Sequence, residues 1–171
     1  MDWKSYAELI GVAAIVASLI FVGLELRQSQ QIALAAHYQA RADSGRTYFY
    51  ESLASEYRIN DLAKDIEAWE WPEGFLSEEE RQWIDDHSSA EKAEAAYWAV
   101  INLYGFDNYY YQYQLGLLTE EGWLALQARL AALLNDDPIA RYLIVVMEQE
   151  YRKSFVTLAK TLIVGPGGQD P

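Results

Sequence analysis

Residues 9–24 read LIGVAAIVASLIFVGL, sixteen positions without a charge, bounded by Glu8 and Glu25. As a helix this run spans about 24 Å at ~1.5 Å per residue. A bilayer's hydrocarbon core is about 30 Å thick and takes about 20 residues. Extension through Ala7, Glu8, Glu25 and Leu26 supplies that length, with the two glutamates at the interfaces, where hydration lowers their cost. Trp3 and Tyr6 fall where an interfacial aromatic belt belongs. The expectation is a membrane anchor over residues 1–28.

Two other readings fit less well. A signal peptide needs a basic leading region and a small-x-small site just past the apolar run. Here Asp2 and Glu8 oppose Lys4, and the one good site, Ala33-Leu34-Ala35, lies beyond the polar stretch Glu25–Gln31. A core helix of a soluble bundle needs an apolar stripe, whereas this run is apolar all round. Within it Ala7, Gly11, Ala14 and Ser18 recur at fours and threes and share one face. Small residues let helix backbones approach in lipid, where packing drives association. These four are the expected contact for a partner helix, from another transmembrane protein or a second copy.

Net charge excludes some partners. The chain has 171 residues, 13 basic against 26 acidic, for a formal charge of −13. Only Asp2, Lys4, Glu8, Glu25 and Arg27 of these lie in the first 27 positions. Nucleic-acid binding needs clustered Lys and Arg; the longest basic run is Arg152-Lys153. The acidity also opposes a broad anionic lipid surface. There is no cysteine, hence no disulfide, thiolate metal site or cysteine nucleophile.

Beyond the apolar run the pattern is helical. No glycine separates Gly23 from Gly45 and no proline precedes Pro72, so the first helix is expected to continue as a stalk to about residue 54, with Gly45 as a possible bend. A second helix is expected over NDLAKDIEAW, 60–69, and a turn at Trp71-Pro72-Glu73-Gly74. Ser77-Glu78-Glu79-Glu80 is a capping box. It is expected to open one long helix to Leu115, with a stripe through Trp83, His87, Ala90, Glu94, Tyr97, Ile101, Tyr104, Asn108 and Tyr111. Gly105 within it marks a kink or a close backbone contact. Thr119 caps the next helix, to about Leu134; Asp137 caps a last one, with Pro138 at its first position, to about Ile163. Residues 165–171 read as a non-helical tail. The fold class expected is all-α: a transmembrane helix, its extension, and a small extramembrane bundle over 29–164.

The order of ASLIFVGLELRQ (17–28), LSEEER (76–81), FDNYYYQYQLGLL (106–118), Trp123, Pro138 and YRKSF (151–155) resembles a large, uncharacterised family of bacterial proteins with an N-terminal membrane anchor. The resemblance covers most of the chain and departs at Ser29, where an asparagine is expected. It implies one long N-terminal helix plus a small helical domain, in the bacterial inner membrane. It implies no activity.

Reaction chemistry is sparse. His37 and His87 lack the Glu-x-x-His spacing of di-iron bundles, since positions 34 and 84 are Leu and Ile. The glycine-rich IVGPGGQD, 163–170, lacks the lysine and hydroxyl of a phosphate loop. Glu91, Glu94, Asp107, Asn108 and Gln112 form the densest polar set. A Glu94–Asn108 pair on a core stripe would suit acid–base work or a small-ligand sensor. Hydrogen bonding to the neighbouring tyrosines is the plainer reading. The six Trp and thirteen Tyr exceed a small core's needs, and consecutive rings of YYYQY fan around a helix. Tyr109, Tyr110 and Tyr113 are therefore candidate extramembrane contacts. The expectation is a non-enzymatic accessory or assembly subunit of a membrane complex, without catalytic residue, cofactor or metal. Lys and Arg near the span ends almost balance. The short acidic leader crosses more easily than a folded domain, so the helical domain is expected in the cytoplasm.

Overall fold

The computed structural model describes residues 3–164; the expected tail at 165–171 lies outside them. Every regular element among the described residues is helical: α1 (Trp3–Leu53), α2 (Glu56–Glu67), α3 (Glu78–Asp86), α4 (Ser89–Gln114), α5 (Glu120–Asp136), α6 (Pro138–Val145), a 3-10 turn (Glu148–Glu150) and α7 (Lys153–Thr161). Contacts divide the chain into two compact units, one ending at His37 and one beginning at Tyr38.

In the first unit the apolar run is helical and uncovered. Ile10, Ile15, Leu19 and Phe21 are 66%, 63%, 67% and 60% exposed, on every side of the helix. None of the most apolar 18-residue window of the run is buried within the chain.

The second unit owns the core. Ala93, Ala96, Ala99 and Leu103 form the buried face of α4. Three alanines in succession let α2 come close, with Ile59, Ala63 and Ile66 facing inward. Phe75, Leu130, Leu134, Ile139, Ile144 and Phe155 complete the sealed interior. Residues Tyr38–Leu53 of α1 belong to this unit and are not a free stalk. Tyr38 meets Tyr111 at 4.1 Å between ring centroids, and Phe49 meets Tyr104 at 5.6 Å. α1 runs through Gly45 without a break, and the Tyr104 ring lies 3.7 Å from where its Cβ would stand.

Two expected helices are broken. The segment 77–115 divides at His87-Ser88 because Ser88 builds a second capping box: its N–H donates to Glu91 Oε2 (2.8 Å), and its Oγ accepts from the Glu91 N–H (3.3 Å). His87 closes α3 from the other side, its Nδ1 2.8 Å from the Trp83 carbonyl and its ring stacked on Trp83. The segment 138–163 divides after Val145, where the chain turns through the 3-10 segment and buries Tyr151. α2 also starts earlier than expected, capped by the Ser55 hydroxyl. Gly116 ends α4 at φ +72°, with Leu117 N–H on the Gln112 carbonyl (3.0 Å) and Gly116 N–H on that of Tyr113 (2.9 Å).

Candidate functional site

The largest feature that the chain itself does not use is the apolar surface of α1. Among the described residues one helix is long and apolar enough to cross a membrane, and none of its most apolar 18-residue window is buried within the chain. Ala7, Gly11, Ala14 and Ser18 are all exposed, and a Cβ added at Gly11 would meet nothing within 4 Å. Among the described residues no side chain covers this face.

The polar residues singled out on α4 do not form one cluster. Glu91 is spent on capping α4. Glu94 is exposed, fourteen residues before Asn108, about 21 Å along the helix at ~1.5 Å per residue. No Glu94–Asn108 pair exists. Asp107, Asn108 and Gln112 do gather, with residues that the sequence did not point to. Asn108 Nδ2 and Gln112 Nε2 both donate to Gln39 Oε1, at 2.7 and 2.8 Å. Gln39 Nε2 in turn donates to both oxygens of Asp43, 3.1 Å away.

Beside this network Arg152 is clamped. Its Nε donates to Asp107 Oδ1 at 2.9 Å and its Nη2 to the Asp107 carbonyl, while its guanidinium lies 4.4 Å from the Tyr111 ring centroid. Burial pushes the Asp107 pKa up, and the Arg152 hydrogen bond and charge oppose it. Burial likewise raises the Tyr151 hydroxyl, which keeps it neutral. A cavity of about 230 Å³ opens here, lined in part by Tyr38, Arg41, Tyr104 and Glu150. It falls below the ~300–1,000 Å³ of typical small-molecule sites, and its central charges are already paired. The arrangement ties α4 to the turn before α7 and to the Tyr38–Leu53 part of α1.

A second tie was hidden from the sequence. Arg141, 2% exposed, donates from Nη2 to Glu80 Oε1 (2.7 Å) and the Phe75 carbonyl (3.3 Å), and from Nη1 to the Leu134 carbonyl (3.2 Å). Glu80 thus caps α3 and neutralises a buried guanidinium at once. Burial alone would raise its pKa; the hydrogen bonds from Arg141 and Ser77 outweigh that and hold it below the usual value.

The candidate contact tyrosines are half-buried. Tyr113 stacks on Trp123 at 5.5 Å and 17°, and Tyr110 meets Trp123 at 5.1 Å and Phe155 at 6.3 Å. Most of that aromatic surplus is internal packing; Tyr109 instead lines a groove. His37 is exposed, and among the described residues no three His, Asp or Glu side chains are grouped to hold an ion. Comparison of the chain with protein-family models, curated proteins and solved structures returned no match.

Proposed function

We propose that this chain is a single-pass membrane protein, a non-enzymatic accessory or assembly subunit of a larger membrane complex. The uncovered apolar run of α1 carries the reading. Eleven large apolar side chains from Leu9 to Leu26, among them Val12, Val16, Ile20 and Leu24, are exposed over its length. In water each Å² of such surface costs about 25 cal/mol, a cost that a bilayer removes. The Ala7, Gly11, Ala14, Ser18 face offers the close approach that helices need in lipid. Its partner is the span of another membrane protein or a second copy of this chain.

The membrane is the bacterial inner membrane, in line with the motif order of the anchored bacterial family, and the helical unit lies in the cytoplasm. The full chain should remain in the pellet after alkaline carbonate extraction; its release into the supernatant would end the anchor reading. Protease added to right-side-out spheroplasts should spare the helical unit, and digestion before lysis would reverse the sidedness. Gly11→Leu should lower cross-linking to the partner helix without affecting insertion. Chains recovered with the natively extracted protein would identify the complex.

A further inference from the structure

A groove of about 380 Å³ runs between the Tyr38–Leu53 part of α1, α4 and α5. Its walls are Ile101, Phe106, Tyr109, Leu126 and Leu133, with Gly105 in its floor. The volume lies within the range of small-molecule sites. Its only charged lining residues are Arg46 and Arg129.

In a chain of net charge −13, this groove gathers two arginines and no acidic lining residue. Neither makes a salt bridge among the described residues. Asp43, one turn before Arg46, is occupied by Gln39. Positions three and four away from Arg129 on either side hold only Ala and Leu. The Arg46 Nε is buried without an acceptor. Arg141 pairs with Glu80 and Arg152 with Asp107, and Arg58 lies over the Tyr48 ring with the Ser52 hydroxyl as acceptor. Here the chain leaves positive charge beside apolar walls, which is the complement of an anionic head on an apolar body.

We propose that this groove binds a small amphiphilic carboxylate, its head at Arg46 and Arg129 and its aliphatic body along Ile101, Phe106, Leu126 and Leu133. This goes beyond the anchor reading and does not depend on it. The test uses the full chain in phosphatidylcholine nanodiscs, titrated with octanoate ¹³C-labelled at the carboxyl and followed by NMR, with empty nanodiscs subtracted for partitioning. Saturable binding is expected. Arg129→Gln should weaken it roughly tenfold, as for loss of a charged hydrogen bond, and Arg129→Lys should restore part of it. Arg129 is exposed, so its loss leaves the fold intact; Arg46→Gln should act in the same direction. Arg41→Gln, at the other cavity, should leave binding unchanged, and octylamine should show no saturable binding. The proposal is overturned if octanoate binds no more than to empty discs, if Arg129→Gln binds as tightly as the wild type, or if octylamine binds equally. None of these outcomes would move the carbonate extraction result.

Discussion

Leucine meets opposite fates in two parts of this chain. Leu9, Leu19 and Leu24 stand open to their surroundings, while Leu103, Leu130 and Leu134 are sealed. Composition alone does not separate these two sets. In the first unit apolar residues occupy every side of the helix, so no single neighbour could cover them. In the second they occupy one face, and alanines bring α2 and α4 together along it. A helix apolar all round asks for a solvent that is itself apolar; a one-sided helix asks for another helix.

The same substitution made in each unit tests that contrast most directly. Leu103→Ala removes a sealed side chain from α4 and should cost about 3 kcal/mol in the unfolding of the helical unit, the transfer loss plus the cavity left behind. Leu19→Ala should change it by less than about 0.5 kcal/mol, because nothing in that core touches Leu19. Near-ultraviolet circular dichroism is a suitable monitor, since Trp69 stacks on Tyr142 at 4.5 Å inside this unit. A comparable loss at both positions would mean that the run is packed against the core after all.

Glu80→Gln probes the buried polar tie. It leaves the Arg141 guanidinium uncompensated, though an amide oxygen can still accept one hydrogen bond. About 2 kcal/mol should be lost at neutral pH. The sign with pH follows from the lowered Glu80 pKa. Its stabilisation is fully present above the ordinary glutamate value, about 4.3, and is lost as pH falls through the lower folded value. The stability gap between the wild type and Glu80→Gln should therefore close below about pH 4. A gap that persists or widens in acid would show that Arg141 is held by the Leu134 and Phe75 carbonyls instead.

These cases show what a sequence displays and what it hides. The apolar run, the Ser77 box and the Asp137-Pro138 start are local, and each was legible from a few residues. Ser88-Ser89-Ala90-Glu91 is equally local, but a stripe counted from Trp83 through His87 runs straight over it. Within α4 that stripe holds Ile101 and Asn108, which are buried, but also Glu94, which is exposed beside the buried Ala93 and Ala96. Asp107 and Asn108 were legible as a polar pair, yet their partners Arg152 and Gln39 lie 45 and 69 residues away. The Arg141–Glu80 tie spans 61 residues. No local pattern encodes such distances; only packing brings these groups together.

Gly116→Ala should cost about 1 kcal/mol, because φ is +72° there and a Cβ strains that backbone. Unchanged thermal stability would mean that the α4 terminus relaxes freely.

The smallest effect should be a gain. Gly105 lies inside α4, so a Cβ there suffers no positive-φ strain. The nearest atom to that Cβ would be Tyr109 Cε2 at 3.9 Å, ordinary van der Waals contact. Alanine is favoured over glycine in a helix interior by ~1 kcal/mol. Gly105→Ala should therefore stabilise the helical unit by about 0.5–1 kcal/mol, seen as a higher denaturant midpoint with an unchanged slope. The matching change at Gly11 should leave that midpoint unmoved, since Gly11 is exposed and a Cβ there would meet nothing within 4 Å. A loss at Gly105 instead of a gain would mean that α4 needs the glycine for a contact closer than 3.9 Å, with the groove walls drawn in on its floor.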